Sequence, residues 1–296
     1  MQRKQIALYG YGYVGKAVFS FLKDHYDVVI IDPLLTQETA PPECSAWLTS
    51  PATNDNSHGL VPDHAIVCVP TPTDTREGAG AACDTSIVEE ILRNTDHKSY
   101  LVKSTVTPGT IDRLTAETGK RICHSPEYIG EGKYEVPFWK DFPHPTNMKL
   151  HTFHIFGGPR DVTKEWVEIF QRVAGWTPTY AQTTAKTSEC VKYFENMFLA
   201  TKKVFCDEMY NVCQALGIDY NEAKELWLLD ARIGRPMTLI FPDARGFSGK
   251  CLPKDTAAIV AAAKEAGYDA KLWREVIASN ARVRGEQTEA AEPAKV

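Results

Sequence analysis

The stretch GFSGKCLPKD, residues 246–255, places one cysteine among residues that favour a reactive thiol. Its two glycines leave space for a substrate carbon to reach the sulfur of Cys251. Lys250 precedes the thiol, and nearby positive charge increases the fraction of a cysteine that is ionised. If a helix begins at Pro253, its amides also point back toward residue 251. Among the eight cysteines Cys251 is therefore the best candidate nucleophile, with a buried structural thiol as the alternative.

The N-terminal segment contains a GxGxxG pattern, formed by Gly10, Gly12 and Gly15, between a predicted strand and a predicted helix. The first glycine permits a tight turn, the second lets a pyrophosphate approach the backbone, and the third lets the helix lie close to the strand. Asp32 ends the next predicted strand, where a carboxylate accepts ribose hydroxyls and repels a 2′-phosphate. The pattern predicts a dinucleotide site that prefers NAD to NADP.

A thiol combined with NAD suggests the oxidation of an aldehyde. Sulfur adds to the carbonyl carbon, and the thiohemiacetal loses a hydride to become a thioester. Hydrolysis of the thioester then needs a base and a partner for the oxyanion. Two pairs with four-residue spacing offer such groups, Glu127 with Glu131 and Lys192 with Asn196. Taken alone, each pair is more simply explained as part of a solvated surface.

Composition argues against several other classes of protein. The 296 residues carry a formal net charge of −5, which provides no basic field for nucleic acid. No apolar run approaches about 18 residues, so no membrane partner is expected. The lack of a CxxC pair and of a signal-peptide core predicts a cytoplasmic protein with reduced thiols. His144, His151 and His154 have a spacing that matches no metal site, so no metal is expected.

Apolar runs alternate with helical patterns in the first part of the chain. They predict an NAD-binding α/β domain over residues 1–183, with a Rossmann-like, doubly wound parallel sheet. Chain that follows the carboxyl end of a strand faces the ligand crevice of such a sheet. Thr71 and Pro72 follow one predicted strand and Thr105 follows the next, so they are candidates to contact the ligand. Their positions are explained equally well if these residues only stiffen the loops. The strand-like runs are IALYG, DVVIID, HAIVCVP, SYLVKST, RICHSP and TFHIFGG.

An all-helical domain is predicted over residues 184–284, followed by a flexible, solvated tail at 285–296. From Thr184 to Leu216 no proline or glycine interrupts the chain, which predicts one central helix of about 30 residues. Shorter helical stretches are predicted at Tyr220–Leu229 and Thr256–Arg282. The loop that contains the candidate thiol lies between these two stretches.

The long predicted helix carries an apolar stripe at steps of three, four or seven residues. Cys206 and Cys213 are seven residues apart, and they are expected to lie on its buried side as packing residues. The stripe consists of Val191, Phe194, Phe198, Phe205, Met209, Val212 and Leu216.

Taken in order, these motifs resemble the UDP-glucose dehydrogenase family, whose close relatives act on UDP-N-acetylmannosamine and GDP-mannose. The resemblance covers about residues 5–282. It implies a four-electron oxidation of the C6 alcohol of a nucleotide sugar, most simply UDP-glucose, to the carboxylate with two NAD reduced. It also implies a homodimer whose core is the long helix. The motifs are GYGYVG with Asp32, VPTPT, KSTVTPGT, SPEYIGEG, VKYFENMFLATK, DARIG and GFSGKCLPKD.

The resemblance assigns chemical roles to several residues. Cys251 would be the nucleophile that forms the thiohemiacetal and the thioester. Lys192 would stabilise the oxyanion, with Asn196 beside it. Asp255 and Thr105 would position a water molecule.

The remaining roles concern proton transfer and binding. Glu127 would serve the proton transfers around thioester hydrolysis, and Glu131 would lie near the cofactor and the proton path. Arg232 resembles an arginine that reaches the substrate of the neighbouring subunit. The implied cofactor-binding residues are Gly10, Gly12, Tyr13, Val14, Gly15, Asp32, Thr71, Pro72, Thr105 and Glu131, and the implied substrate-binding residues are Glu127, Tyr128, Lys192, Asn196, Arg232 and Gly246.

The sequence departs from the family pattern at points that concern nucleotide recognition. The family normally continues into a third domain that closes over UDP, and this chain ends before it. Gly130 stands where arginine or alanine is usual, and Ser248 stands where glycine is usual. Two alternatives follow: an inactive protein that binds NAD or a protein partner, and a two-electron hydroxyacid dehydrogenase that needs no thiol.

Overall fold

The computed structural model describes residues 3–49, 62–74, 82–129 and 147–286. Its contacts divide the chain into two compact units. The first consists of Met1–Pro72 and Cys83–Lys192, and the second of Thr73–Ala82 and Tyr193–Val296. The predicted division at residue 184, and the predicted tail, stay predictions.

Within the described residues, the first unit is built on an eight-stranded sheet with the strand order β3-β2-β1-β4-β5-β6-β7-β8. Strands β1, β2, β4 and β5 are apolar runs whose side chains are almost all buried, as expected for strands covered on both faces. The strands are β1 Gln5–Tyr9, β2 Asp27–Ile31, β3 Ala46–Leu48, β4 His64–Val67, β5 Ser99–Val102, β6 Ile122–His124, β7 Phe153–Gly157 and β8 Thr179–Thr183.

Neighbouring strands are parallel except β6 and β7, which pair antiparallel between His124 and Gly157. The prediction of a parallel sheet is therefore correct for six of the seven pairs. Strands β3 and β8 were not predicted from the sequence. They lie at the two edges of the sheet, where side chains are half-buried or exposed, so neither strand has a continuous apolar run.

Helices cover both faces of this sheet, which confirms the doubly wound α/β class. Alternate residues of β1 point to opposite faces: Ile6 and Leu8 join one apolar core, and Ala7 and Tyr9 join the other. Helices α1 and α4 pack into the first core, and α2 and α3 into the second. The four helices are α1 Tyr13–Leu22, α2 Ser86–Asn94, α3 Thr110–Thr118 and α4 Arg160–Ala174.

The second unit is helical. The 32-residue helix α5, Ala185–Leu216, begins in the first unit and matches the predicted long helix. It is followed by α6 Tyr220–Trp227, α7 Leu252–Glu265 and α8 Lys271–Arg284. The prediction of one helical stretch at Thr256–Arg282 was wrong. The chain turns between α7 and α8 at Gly267, whose φ of 84° is accessible to glycine at little cost.

The buried side of α5 does not coincide with the apolar stripe seen in the sequence. Cys206 and Cys213 are buried, as predicted. The buried side also contains the charged residues Lys203 and Asp207. Most of the apolar stripe is instead half exposed in a single chain, including Phe194, Phe198, Phe205, Val212 and Leu216. Within the described part of the chain, no helix is both long enough and apolar enough to cross a membrane.

Candidate functional site

The glycine loop, Gly10–Gly15, connects β1 to α1 and is shaped by close backbone contacts. A Cβ at Gly10 would lie 2.7 Å from the carbonyl oxygen of Cys68, and one at Gly15 would lie 2.0 Å from the carbonyl oxygen of Gly10. A Cβ at Gly12 would have no atom within 4 Å. The loop is therefore tight at Gly10 and Gly15 and open at Gly12, where a pyrophosphate would approach the first amides of α1.

Asp32, at the end of β2, is oriented by two backbone amides. Its Oδ2 accepts from the amide of Tyr11 at 2.6 Å, and its Oδ1 accepts from the amide of Leu34 at 2.8 Å. A carboxylate has about four acceptor positions, so two remain for ribose hydroxyls. The open glycine, the helix start and this carboxylate together fit a dinucleotide.

The loops after β4 and β5 are joined beside the glycine loop. Thr71 Oγ1 donates to the carbonyl oxygen of Thr105 at 2.7 Å, and Ser104 Oγ donates to the carbonyl oxygen of Val69 at 2.7 Å. Pro72 follows Thr71 and is exposed. Since β1 and β4 are neighbours at the point where the strand order reverses, these loops lie at the switch point of the sheet, which is where such folds bind dinucleotides. Tyr13 and Val14 form the first turn of α1.

Glu127 follows β6 and is buried together with Lys103 at the end of β5. Its Oε1 accepts from the amide of Ile129 at 2.5 Å, and its Oε2 lies 3.4 Å from Lys103 Nζ. A buried carboxylate of this kind is stable when a cation and a donor accompany it. Glu131 lies outside the described residues.

Two buried histidines surround the same lysine. Burial lowers the pKa of His124 and of His154 to about 3, and the charge of Lys103 acts in the same direction. Both imidazoles are therefore neutral at pH 7. His124 Nδ1 lies 2.9 Å from Ser188 Oγ on α5.

Lys192 is the last residue of the first unit and lies on α5. Its Nζ lies 5.5 Å from the centre of the Tyr128 ring, within the range of a cation–π contact. The Tyr128 ring also packs edge-on against Phe153 at 4.9 Å. The structure thus brings together two residues that the sequence assigned to the substrate. Asn196 is one helical turn further along α5.

Cys251 is exposed and precedes the first residue of α7, as the position of Pro253 predicted. The other seven cysteines are buried or half-buried. Burial raises the pKa of five of them, which makes these thiols poor nucleophiles at pH 7: Cys44, Cys68, Cys123, Cys190 and Cys206.

The first turn of α7 contains a buried cluster one turn after the thiol. Asp255 is buried, and its two oxygens accept from Asn196 Nδ2 at 2.5 Å and from Lys254 Nζ at 2.6 Å. The amide of Asp255 donates to the carbonyl oxygen of Cys251 at 2.8 Å. Two predicted site residues, Asn196 and Asp255, are therefore in direct contact, and Lys254 joins them.

The other two predicted residues of the second unit are in different surroundings. Gly246 has a φ of 72°, and a Cβ there would lie 2.5 Å from Asn280 Oδ1 on α8. Arg232 is exposed and pairs with Asp230 two residues earlier, through Nε at 2.9 Å from Oδ1.

Sequence reasoning missed the buried charges that support these residues. Lys103 was quoted only as part of a loop motif, and Lys203 and Asp207 were not singled out. An opposite charge pair four residues apart inside an apolar helical repeat was the available signal for the second case. For Lys103 the signal was a lysine at the end of an otherwise apolar strand.

Comparison with known proteins assigns the chain to a family. Residues 186–282 match the central domain of the UDP-glucose/GDP-mannose dehydrogenase family. The UDP-glucose 6-dehydrogenase AglM of Haloferax volcanii is 31% identical over 310 residues, covering 93% of this chain and 69% of the relative. The chain belongs to the UDP-glucose/GDP-mannose dehydrogenase family.

Other members of the family agree with this assignment. The UDP-glucose 6-dehydrogenase of Rhizobium meliloti is 30% identical over 227 residues, covering 73% of this chain and 49% of the relative. A UDP-glucose dehydrogenase structure from Pyrobaculum islandicum superimposes with a TM-score of 0.74 at 23% identity, covering 95% of this chain and 68% of that chain. The matches cover between 49% and 69% of the length of these three proteins.

These comparisons confirm the predicted family, the predicted α/β fold and the assignment to dehydrogenase enzymes. A dehydrogenase of this fold uses a nicotinamide dinucleotide, and Gly12, the start of α1 and Asp32 are the residues that would hold it.

Proposed function

We propose that this chain oxidises the C6 alcohol of a nucleotide sugar to the carboxylate, with UDP-glucose as substrate and NAD as electron acceptor. The observation that carries the proposal is the exposed Cys251 thiol, one turn before the buried Asp255–Asn196 contact. The relatives named UDP-glucose 6-dehydrogenase support the substrate class. The carboxylate of Asp32 favours NAD over NADP because it would repel a 2′-phosphate.

The thiol would enter after the first of two oxidations. NAD, when bound, would supply the hydride acceptor, with one NAD molecule for each of the two oxidations. Cys251 Sγ forms a bond to the carbon of the aldehyde while the thiol proton passes to a base. The tetrahedral carbon bound to sulfur loses its hydride, its hydroxyl group gives a proton to a base, and the product is a thioester. Water then breaks the carbon–sulfur bond, which releases the carboxylic acid and restores the thiol.

The family resemblance suggests which residues would support these steps. Lys192 carries the positive charge that stabilises an oxyanion, and the Asn196 amide offers a second donor. Asp255 is held by its two donors, and the family resemblance gives it the role of positioning water, a role that it also gives to Thr105. Glu127 would accept and return protons during hydrolysis. The role of Glu131 near the cofactor is proposed from the family resemblance.

We further propose a homodimer formed through the exposed apolar side of α5. Five apolar side chains on one helix are costly to leave in water, and a second copy of the same helix would bury them. In the dimer Arg232 would reach the substrate of the partner. Light scattering of the purified chain tests this: Phe198→Asp should convert dimer to monomer, and a monomeric parent protein would contradict the proposal.

The use of NAD also fits a cytoplasmic location.

The decisive experiment counts NADH per product. The purified chain is incubated with NAD and, in turn, UDP-glucose, UDP-N-acetylmannosamine and GDP-mannose, and NADH is measured by absorbance. UDP-glucose should give two NADH per uronate formed. Cys251→Ser should stop the reaction before the second NADH, whereas Cys44→Ser, a half-buried thiol elsewhere, should leave it unchanged.

Two outcomes would replace the proposal. NAD binding by calorimetry without turnover on any of the three sugars would support an inactive binding protein. One NADH per product, with full rate retained by Cys251→Ala, would support a two-electron dehydrogenase.

A further inference from the structure

A cluster of charged side chains lies on the buried side of α5, next to the loop that leads to Cys251. Asp207 is fully buried, and its carboxylate accepts from Lys203 Nζ at 2.7 Å and from Arg245 Nε at 2.6 Å. Its Oδ2 also accepts from the amide of Gly246 at 3.1 Å. These three side chains and this amide form what is here termed the Asp207 cluster.

Arg245 is held to α5 by further contacts. Its Nη2 donates to the carbonyl oxygen of Asp207 at 2.9 Å and to Asn211 Oδ1 at 3.0 Å. Its guanidinium lies 4.5 Å from the centre of the Tyr210 ring. A planar cation with several donors and a stacking partner has little freedom to move, so residue 245 is fixed relative to α5.

Phe247, the residue after Gly246, is held by a side chain of α8. Asn280 Oδ1 accepts from the amide of Phe247 at 2.7 Å, and Asn280 Nδ2 donates to the carbonyl oxygen of Phe247 at 3.0 Å. Both residues are buried. Gly246 and Phe247 are thus held by polar side chains of two different helices, immediately before the four residues that end at Cys251.

Packing alone does not require these charges. Buried ion pairs cost desolvation energy, and apolar side chains of similar size often give equal or greater stability. What an apolar pair cannot provide is an acceptor for the amide of Gly246. A fully satisfied polar network fixes one backbone position, because any displacement leaves a buried group without its partner.

We propose that Asp207, supported by Lys203 and Arg245, is a positioning residue for Cys251. It fixes the loop backbone at Gly246 and thereby the place from which the thiol attacks. The inference rests on the proposed function, since Cys251 is the nucleophile there. It adds residues that do not touch the reacting atoms and act only through the loop.

The test compares two double variants, Lys203→Met/Asp207→Asn and Lys203→Met/Asp207→Leu. Each removes one positive and one negative charge, so the net charge of the cluster is unchanged. Asparagine and leucine are similar in size. The one amide oxygen of asparagine can still accept from the amide of Gly246, with loss of the Arg245 Nε contact, whereas leucine can accept from neither donor. Tyr220→Phe serves as a control, because it removes a buried hydrogen bond to the carbonyl oxygen of Thr238 in the same unit.

The asparagine double variant should keep most of the wild-type kcat. The leucine double variant should lose about 10- to 100-fold in kcat, the effect expected of a misplaced reacting group, with NAD affinity unchanged. Amide hydrogen exchange should be faster in a peptide covering residues 246–251 of the leucine variant only. Tyr220→Phe should change thermal stability without changing exchange in that peptide.

Equal kcat and equal exchange in the two double variants would overturn the inference, and so would faster exchange throughout the second unit of the leucine variant. These results are distinguishable from failure of the proposed function, in which the wild-type chain produces no NADH. In that case the exchange of residues 246–251 still decides whether Asp207 fixes the loop.

Discussion

The glycine loop, Gly10–Gly15, and the thiol loop, Gly246–Cys251, are held in place by different kinds of contact. In the first, backbone lies directly against backbone, with the positions of missing Cβ atoms 2.0 and 2.7 Å from carbonyl oxygens. In the second, buried side chains of two helices bind the backbone, Asp207 from α5 and Asn280 from α8.

This difference determines how each loop responds to substitution. A backbone contact has no flexible partner that could move away, so an added side chain must displace a strand or a helix. A side-chain contact can be broken locally, and the helices that supply it remain packed. We therefore expect substitutions of the two tightly packed glycines, Gly10 and Gly15, to affect folding of the first unit and changes in the thiol loop to affect mainly catalysis.

The largest effect is expected for Gly15→Ala. The new Cβ would lie 2.0 Å from the carbonyl oxygen of Gly10, which is backbone and cannot rotate away. The variant should lose more than about 4 kcal/mol of folding stability or fail to fold, as for other severe core defects. Thermal unfolding and the yield of folded protein measure this.

Gly12→Ala is the matched control for that change. Its Cβ would have no atom within 4 Å, and the backbone φ of −73° suits alanine. It should fold normally and bind NAD about tenfold more weakly or worse, because the methyl group occupies the side that a pyrophosphate approaches. Similar stability in the two alanine variants would contradict the steric explanation.

A smaller effect is expected for Gly246→Ala in the thiol loop. Its φ of 72° already disfavours alanine, and the new Cβ would lie 2.5 Å from Asn280 Oδ1. Asn280 can rotate away, so the cost should be about 2–3 kcal/mol, from backbone strain and the lost hydrogen bonds to Phe247. The NADH assay should show a clear loss of kcat.

Gly249→Ala separates the two contributions to this effect. It has a φ of 88° but no atom within 4 Å of the added Cβ, so only the strain of about 1–2 kcal/mol is expected. Equal kcat in the two loop variants would mean that the contact with Asn280 has no part in placing the thiol.

The same difference explains what the sequence could predict. The glycine loop is a local motif between two patterned elements, so Gly10, Gly12, Gly15 and Asp32 were identified together. The start of α7 just after Cys251 was also predictable to within one residue, because proline in the first turn of a helix is a local signal and Pro253 is the second residue of α7.

The missed features depend on contacts between distant residues. Asp207 and Gly246 are 39 positions apart, and no local pattern indicates that they meet. The edge strands β3 and β8 were missed because they lack neighbours on one side and need no continuous apolar run. The antiparallel pairing of β6 and β7 was missed because strand direction leaves no mark in the periodicity.

A moderate effect on binding is expected for Asp32→Asn. The amide can accept only through its oxygen, so one of the amides of Tyr11 and Leu34 loses its acceptor and ribose loses a charged partner. NAD affinity should fall about tenfold, roughly 1.4 kcal/mol, and discrimination against NADP should weaken. Asp27→Asn, at the other end of β2, should change neither affinity. Undiminished preference for NAD would show that Asp32 does not select the cofactor.

The smallest effect is expected for the ion pairs of Glu165, whose partners lie at the amino-terminal ends of β4, β5 and β6, the opposite end of the strands from the glycine loop. Burial would raise the pKa of this carboxyl, but hydrogen bonds from Lys98, His64 and Arg121 outweigh it and lower the pKa to about 2. The ordinary value is 4.5, so the pairing stabilises the folded state above about pH 5 and is lost as the pH falls toward 2.

Glu165→Gln should therefore lower the free energy of unfolding by about 1 kcal/mol at pH 7, since the network is only partly buried. The difference in the free energy of unfolding between this variant and the wild type should shrink steadily as the pH falls from about 5 to about 3, as measured by urea unfolding. Glu168→Gln, an exposed carboxylate on the same helix, should show no such convergence. A difference that is constant with pH would mean that Glu165 stabilises the first unit by packing, as the glycine loop does, and that the charge of Glu165 does not contribute.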